Sequence, residues 1–77
     1  MPSDLTLFHS DGCHLCEQAE ALLGQSGHAY RLAEICDRPE WVERYGVRIP
    51  VVRRGDGKEL GWPFTLDQLM EFLKDAV

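Results

Sequence analysis

The chain has 77 residues, with 13 acidic side chains against 8 basic ones and a formal charge of −5, so it has room for one small domain and no more. A composition of 44% hydrophobic and 27% charged residues excludes a disordered chain, and no apolar run approaches the roughly 18 residues of a membrane span. With Lys58 and Lys74 as the only lysines, nothing suggests a basic surface for nucleic acid or anionic lipid.

In chain order, Leu5-Thr6-Leu7-Phe8 is a short apolar run stopped by Ser10, Asp11 and Gly12, which predicts a buried strand from Asp4 to His9. Cys16, Ala19, Leu22, Leu23 and Ser26 then recur on one helical face, and Gly27 closes that helix. Ala29 to Ile35 reads as a second strand, partly from its place after the helix stop. Asp37 stands three residues before Glu40, which predicts an N-cap, with Pro39 in the first turn of a helix running through Trp41, Val42 and Tyr45 to Gly46.

Ile49 to Arg53 is rich in β-branched residues, and Gly55-Asp56-Gly57 supplies a turn into Lys58 to Gly61, so these two strands form an antiparallel hairpin. Thr65 and Gln68 have capping-box spacing, and Leu66, Leu69, Met70 and Leu73 make an apolar stripe that carries a last helix to the C-terminus. The order β-α-β-α-β-β-α predicts an α/β domain over residues 1–77, with a four-stranded mixed sheet and flanking helices. Met1-Pro2-Ser3-Asp4 lacks the basic start of a secretory signal, which makes a cytoplasmic monomer the expectation.

The chemistry is concentrated in Cys13-His14-Leu15-Cys16. Two cysteines three apart at the start of a helix lie one turn from each other, within reach of a reversible disulfide. Cys16 continues the buried stripe, whereas Cys13 lies at the helix tip, where unpaired backbone N–H groups and the helix dipole favour a thiolate. Cys13 is therefore expected to attack and Cys16 to resolve. His14 is the only nearby candidate cation, opposed by Asp11, Glu17 and Glu20. A zinc or iron–sulfur site needs four ligands, and beyond this pair only Cys36, His9, His14 and His28 are available, so no metal is expected. A redox-sensitive binding or thiol-carrier module without turnover is the alternative to an enzyme.

Taken together, Leu5 to Phe8 leading into Gly12 to Cys16, then Tyr45-Gly46-Val47-Arg48-Ile49-Pro50-Val51-Val52, then Gly57-Lys58-Glu59-Leu60 resemble the glutaredoxin-like branch of the thioredoxin superfamily, especially its small bacterial-type members. The resemblance covers nearly the whole chain. It implies a thioredoxin-like fold of glutaredoxin type and thiol–disulfide exchange on protein disulfides or glutathione mixed disulfides. Glutathione is then a cosubstrate, with no tightly bound cofactor. It also implies a cis bond at Ile49-Pro50 beside the dithiol, with Ile49 holding the backbone of the thiol substrate.

His14, Leu15, Arg48, Ile49, Pro50 and Thr65 follow as substrate-binding positions. Arg48 is suited to one glutathione carboxylate, and the last helix, starting after Thr65, to the other. Two segments depart from the family: His9-Ser10-Asp11-Gly12 has no lysine, and Gly61-Trp62-Pro63-Phe64-Thr65 replaces a Gly-Gly-acidic run. Cys36 is expected to be a partly buried structural thiol. Trp62 and Phe64 are assigned to packing, as are Trp41 and Tyr45 on one helical face. His9 ends the first strand near the dithiol, and His28 is loop.

Overall fold

The computed structural model describes residues 5–74. Asp4, the expected first residue of the first strand, and the expected run of the last helix to Val77 lie outside them. Within the described residues the chain forms β1 (Thr6–His9), α1 (His14–Ser26), β2 (Arg31–Glu34), a 3-10 turn (Ile35–Asp37), α2 (Pro39–Tyr45), β3 (Val51–Arg53), β4 (Glu59–Gly61) and α3 (Leu66–Lys74). The sheet order is β2-β1-β3-β4. β1 and β2 are parallel, Phe8 opposite Ala33, and β1 with β3 and β3 with β4 are antiparallel, Phe8 opposite Val51 and Val51 opposite Gly61.

The period-two alternation of β1 divides the core in two. Leu7 joins Leu5, Val52, Ala19, Leu23, Phe64, Leu69 and Leu73 on the face covered by α1 and α3. Phe8 points the other way, into a smaller cluster with Ala33, Ile35, Tyr45 and Val51 under α2. There Phe8 stacks on Tyr45 at 4.1 Å between centroids and meets the edge of Trp41 at 5.4 Å, so the shared face of Trp41 and Tyr45 is a packing face. Phe64 is buried and Trp62 half-buried against the first cluster, in a T-shaped pair at 5.0 Å. The packing role read for these two residues is the one they have.

Helix ends follow local chemistry. Gly27 adopts φ 77° at the end of α1 and donates to Gly24 O at 3.4 Å, a left-handed cap that favours glycine. At the end of α2, a Cβ on Gly46 would lie 2.5 Å from the Val42 carbonyl oxygen, so the close turn there requires glycine. Thr65 and Gln68 form the reciprocal capping box: Gln68 N donates to Thr65 Oγ1 at 3.1 Å and Thr65 N to Gln68 Oε1 at 2.8 Å.

Three local readings are corrected. The second strand is shorter than Ala29 to Ile35, because the chain leaves the sheet at Ile35 to make the 3-10 turn. That turn, with Arg38 N donating to Ile35 O at 3.2 Å, makes Arg38 the residue ahead of α2. Asp37 is thereby taken out of the capping position, and α2 starts on Pro39 with no side-chain cap. Cys36, expected partly buried, is an exposed free thiol, since the same turn carries it past the sheet edge. A buried arginine was not anticipated: Arg54 is 5% exposed, donating to Phe72 O at 2.8 Å and through two nitrogens to the Asp56 carboxylate.

Candidate functional site

β1 runs directly into the dithiol. The chain turns at Asp11 and Gly12, Cys13 N donates to Ser10 O at 3.2 Å, and α1 begins at His14 with Cys13 as its N-cap. In place of the usual hydroxyl or carboxylate oxygen, the Cys13 sulfur receives the Cys16 N–H at 3.1 Å. This is the helix-tip environment that stabilises negative charge on sulfur. Cys13 and Cys16 are joined as a disulfide with Cα atoms 5.2 Å apart. Cys16 is 1% exposed and continues the stripe of Ala19 and Leu23, while Cys13 is only partly covered and His14 and Leu15 are exposed.

The turn is held from β2. Glu34 accepts from Asp11 N at 2.9 Å through one oxygen and from Cys36 N at 3.0 Å through the other. The Cys36 N–H holds its carboxyl below the usual glutamate range against the opposing effect of burial, and the Asp11 N–H adds to the lowering. Ser10 Oγ lies 3.8 Å from Cys36 Sγ. One carboxylate thus fixes both the loop ahead of Cys13 and the turn that carries the third cysteine.

The other predicted positions are not all gathered here. Val51 pairs with Phe8, so Pro50 continues that register opposite His9, at the sheet end where β1 turns into the dithiol. The Ile49–Pro50 bond is cis, as is Trp62–Pro63. Pro50 is fully buried, its carbonyl accepting from Trp62 N at 3.1 Å, and Ile49 packs against the Phe8 cluster. Thr65 is exposed and engaged in its capping box.

Arg48 is drawn along the sheet instead of toward the cysteines. Its Nη2 donates to Glu59 Oε1 at 3.2 Å, and Glu59 pairs with Arg53, which in turn lies opposite Thr6. Glu59 accepts from the Tyr45 hydroxyl at 2.7 Å, and Arg53 Nη1 donates to that hydroxyl at 3.4 Å. Arg44 completes the group, 3.4 Å from Glu59. Burial works to raise the Glu59 pKa, but the Tyr45 hydroxyl, Arg48 and Arg44 together outweigh it and hold it below the ordinary value. Among the described residues, no group of three or more His, Cys, Asp or Glu is arranged to hold a metal ion, and no helix is long and apolar enough to cross a membrane.

Residues 4–74 match the glutaredoxin-like domain family (DUF836). The chain belongs to this family. Among solved structures, the glutaredoxin-like chain is similar to the structural-genomics target XcR50 from X. campestris, determined both by X-ray and in solution. The X-ray structure is 40% identical with a TM-score of 0.88, the match covering 95% of this chain and 99% of that one. The solution structure is 40% identical with a TM-score of 0.87 over 96% of each chain. No curated protein matches the chain. The fold is thus the thioredoxin-like α/β arrangement that the residue blocks around Cys13, Pro50 and Gly57 implied, and the Cys13–Cys16 pair of a glutaredoxin-like domain points to thiol redox chemistry.

Sequence reasoning missed the Glu34 clamp and the cluster around Glu59. Each joins elements distant in sequence, Glu34 to Asp11 across 23 positions and Glu59 to Tyr45 across 14, and no local periodicity marks them. The alternation of charges in Arg53 and Glu59 across a hairpin was the one available signal, since antiparallel partners of opposite charge pair across strands.

Proposed function

We propose that this domain is a thiol–disulfide oxidoreductase that reduces protein disulfides or glutathione mixed disulfides. The observation that carries this reading is the asymmetry of the pair. Cys13 is accessible, with its sulfur at a helix N-terminus accepting an N–H at 3.1 Å, and Cys16 is buried directly behind it.

Starting from the reduced dithiol, the Cys13 thiolate attacks one sulfur of the substrate disulfide. A Cys13–substrate bond forms as the substrate S–S bond breaks, expelling the first substrate thiolate. Cys16 gives up its proton and attacks Cys13 Sγ, forming the Cys13–Cys16 bond and releasing the second thiolate. The substrate gains the two electrons the dithiol loses, and the released thiolates take up protons from Cys16 and solvent. Ile49, at the same end of the sheet, is the ledge along which an extended substrate lies: its N–H donates to Tyr45 O and the Pro50 carbonyl accepts from Trp62 N, so the Ile49 carbonyl is the group that pairs.

The test is a disulfide-reduction assay with intact-mass readout. Cys13→Ser abolishes turnover, and Cys16→Ser accumulates a mixed disulfide on Cys13. Full activity of Cys13→Ser overturns the proposal, and single-adduct formation without turnover in the wild-type protein shows a thiol carrier instead.

A further inference from the structure

The group centred on Glu59 carries more positive charge than the fold uses. Glu59 is 14% exposed and has two oxygens, one taken by the Tyr45 hydroxyl and one by Arg48. Each oxygen thus has one donor. Arg44 adds a third partner at 3.4 Å, and Arg53 adds a guanidinium on the Tyr45 hydroxyl, over the Phe8 ring at 5.0 Å.

Two guanidinium groups, each with five N–H donors, therefore pair with a single carboxylate, and a third lies on the hydroxyl that donates to it. Among the described residues Glu59 is the one carboxylate ion-paired with Arg44 or Arg48. The Arg44 and Arg48 side chains are 63% and 45% exposed, so their remaining donors face solvent. In a chain of net charge −5, this is a concentrated positive surface, and it fits an anionic partner.

Its position narrows the partner. Arg53 lies three residues along β3 from Pro50, about 10 Å at a strand rise of ~3.3 Å per residue. A segment laid along the Ile49–Pro50 ledge with its cysteine at the dithiol reaches the arginines only with residues some three or four positions away. That span belongs to a polypeptide, and its complement is a row of carboxylates.

We propose that Arg44, Arg48 and Arg53 form a docking surface for an acidic segment of a protein disulfide substrate, with Asp or Glu three to four residues from the reactive cysteine. This rests on the dithiol reading above. Bidentate guanidinium–carboxylate pairing supplies the contacts, and the exposed setting makes their effect salt-dependent and modest for each pair.

The experiment measures second-order rate constants for the reduced full-length protein with mixed disulfides of three ten-residue peptides. The peptides place two Glu, two Gln or two Lys at the third and fourth positions from one cysteine, and glutathione disulfide is a fourth substrate. The acidic peptide is expected to react about 5–20-fold faster than the neutral one at low salt, the ratio falling to within twofold in 1 M NaCl. Arg44→Gln and the Arg44→Gln/Arg53→Gln pair reduce the ratio stepwise, whereas Arg38→Gln, the same charge change elsewhere on the surface, leaves it unchanged.

Equal rates for the three peptides in the wild-type protein overturn the docking proposal. So does an equal loss of the ratio in Arg38→Gln, which reports net charge alone. A rate dependence on Arg44 and Arg53 confined to glutathione disulfide overturns it as well, since the surface then serves a small thiol. Failure of every disulfide to react through Cys13 refutes the oxidoreductase reading itself, a result distinguishable from reaction without charge preference.

Discussion

Tyr45→Phe removes one hydroxyl while leaving in place the ring that stacks on Phe8. That hydroxyl belongs to a wholly buried residue, donates to Glu59 Oε2 at 2.7 Å and accepts from Arg53 at 3.4 Å. A hydrogen bond to a charged acceptor contributes about 1.5–3 kcal/mol. Because Glu59 keeps Arg48 at 3.2 Å and Arg44 at 3.4 Å, the lower end applies, about 1.5 kcal/mol. For a domain of this size that corresponds to a fall of about 6–12 °C in Tm.

The loss should depend on pH with a definite sign. Burial pushes the Glu59 pKa up, but the hydroxyl and the arginines outweigh it, so the folded value lies below 4.5. A depressed carboxyl adds stability that is fully present above its unfolded pKa and is lost as pH falls through the folded one. Part of that depression goes with the hydroxyl. The gap between wild type and Tyr45→Phe is therefore widest above about pH 4.5 and narrows in acid. Urea unfolding followed by tryptophan fluorescence across pH 3–8 measures it. A loss under about 0.5 kcal/mol at neutral pH, the range of substitutions that break no structural feature, or a gap that does not change with pH, would refute the reasoning.

Thr65→Ala should cost about 1 kcal/mol by opening the capping box of α3, while Thr65→Ser keeps most of it; equal stabilities in denaturant would show that the cap contributes nothing. Asp56 is held down to a pKa of about 2 by the Arg54 guanidinium and then the Lys58 N–H. Asp56→Asn should accordingly lower Tm above pH 3.8, the difference from wild type shrinking as pH falls toward 2. A difference that persists unchanged at pH 2 would place the effect elsewhere than in the ionised carboxylate.

Much of this fold is legible where the signal is local. The Leu5 to Phe8 run, the Cys16-Ala19-Leu23 stripe, the Gly55-Asp56-Gly57 turn and the Thr65–Gln68 pair each act over a few residues, and each appears where the spacing put it. Cys13 at a helix tip and Cys16 in the stripe followed from the same periodicity. What could not be read depends on contacts made after the chain has folded back. Glu34 reaches Asp11 across 23 positions, and Glu59 reaches Tyr45 across 14. Arg54 reads as a solvated charge until the carbonyl of Phe72 closes over it, 18 positions away. Cys36 was misread for a related reason: its neighbours in sequence continue the strand, but the 3-10 turn redirects it outward.

The two borders of the sheet end in different ways. β2 begins with Arg31 and ends with Glu34, and β4 is three residues long, with Trp62-Pro63 following at once and proline offering no N–H. Charge at one border, and brevity with a proline beyond it at the other, discourage a second chain from adding a strand there. A four-stranded sheet has two borders at which another chain could add a strand. Blunted borders keep strand addition away from the rim of the sheet, which lets so small a domain expose both rims without being prone to aggregation.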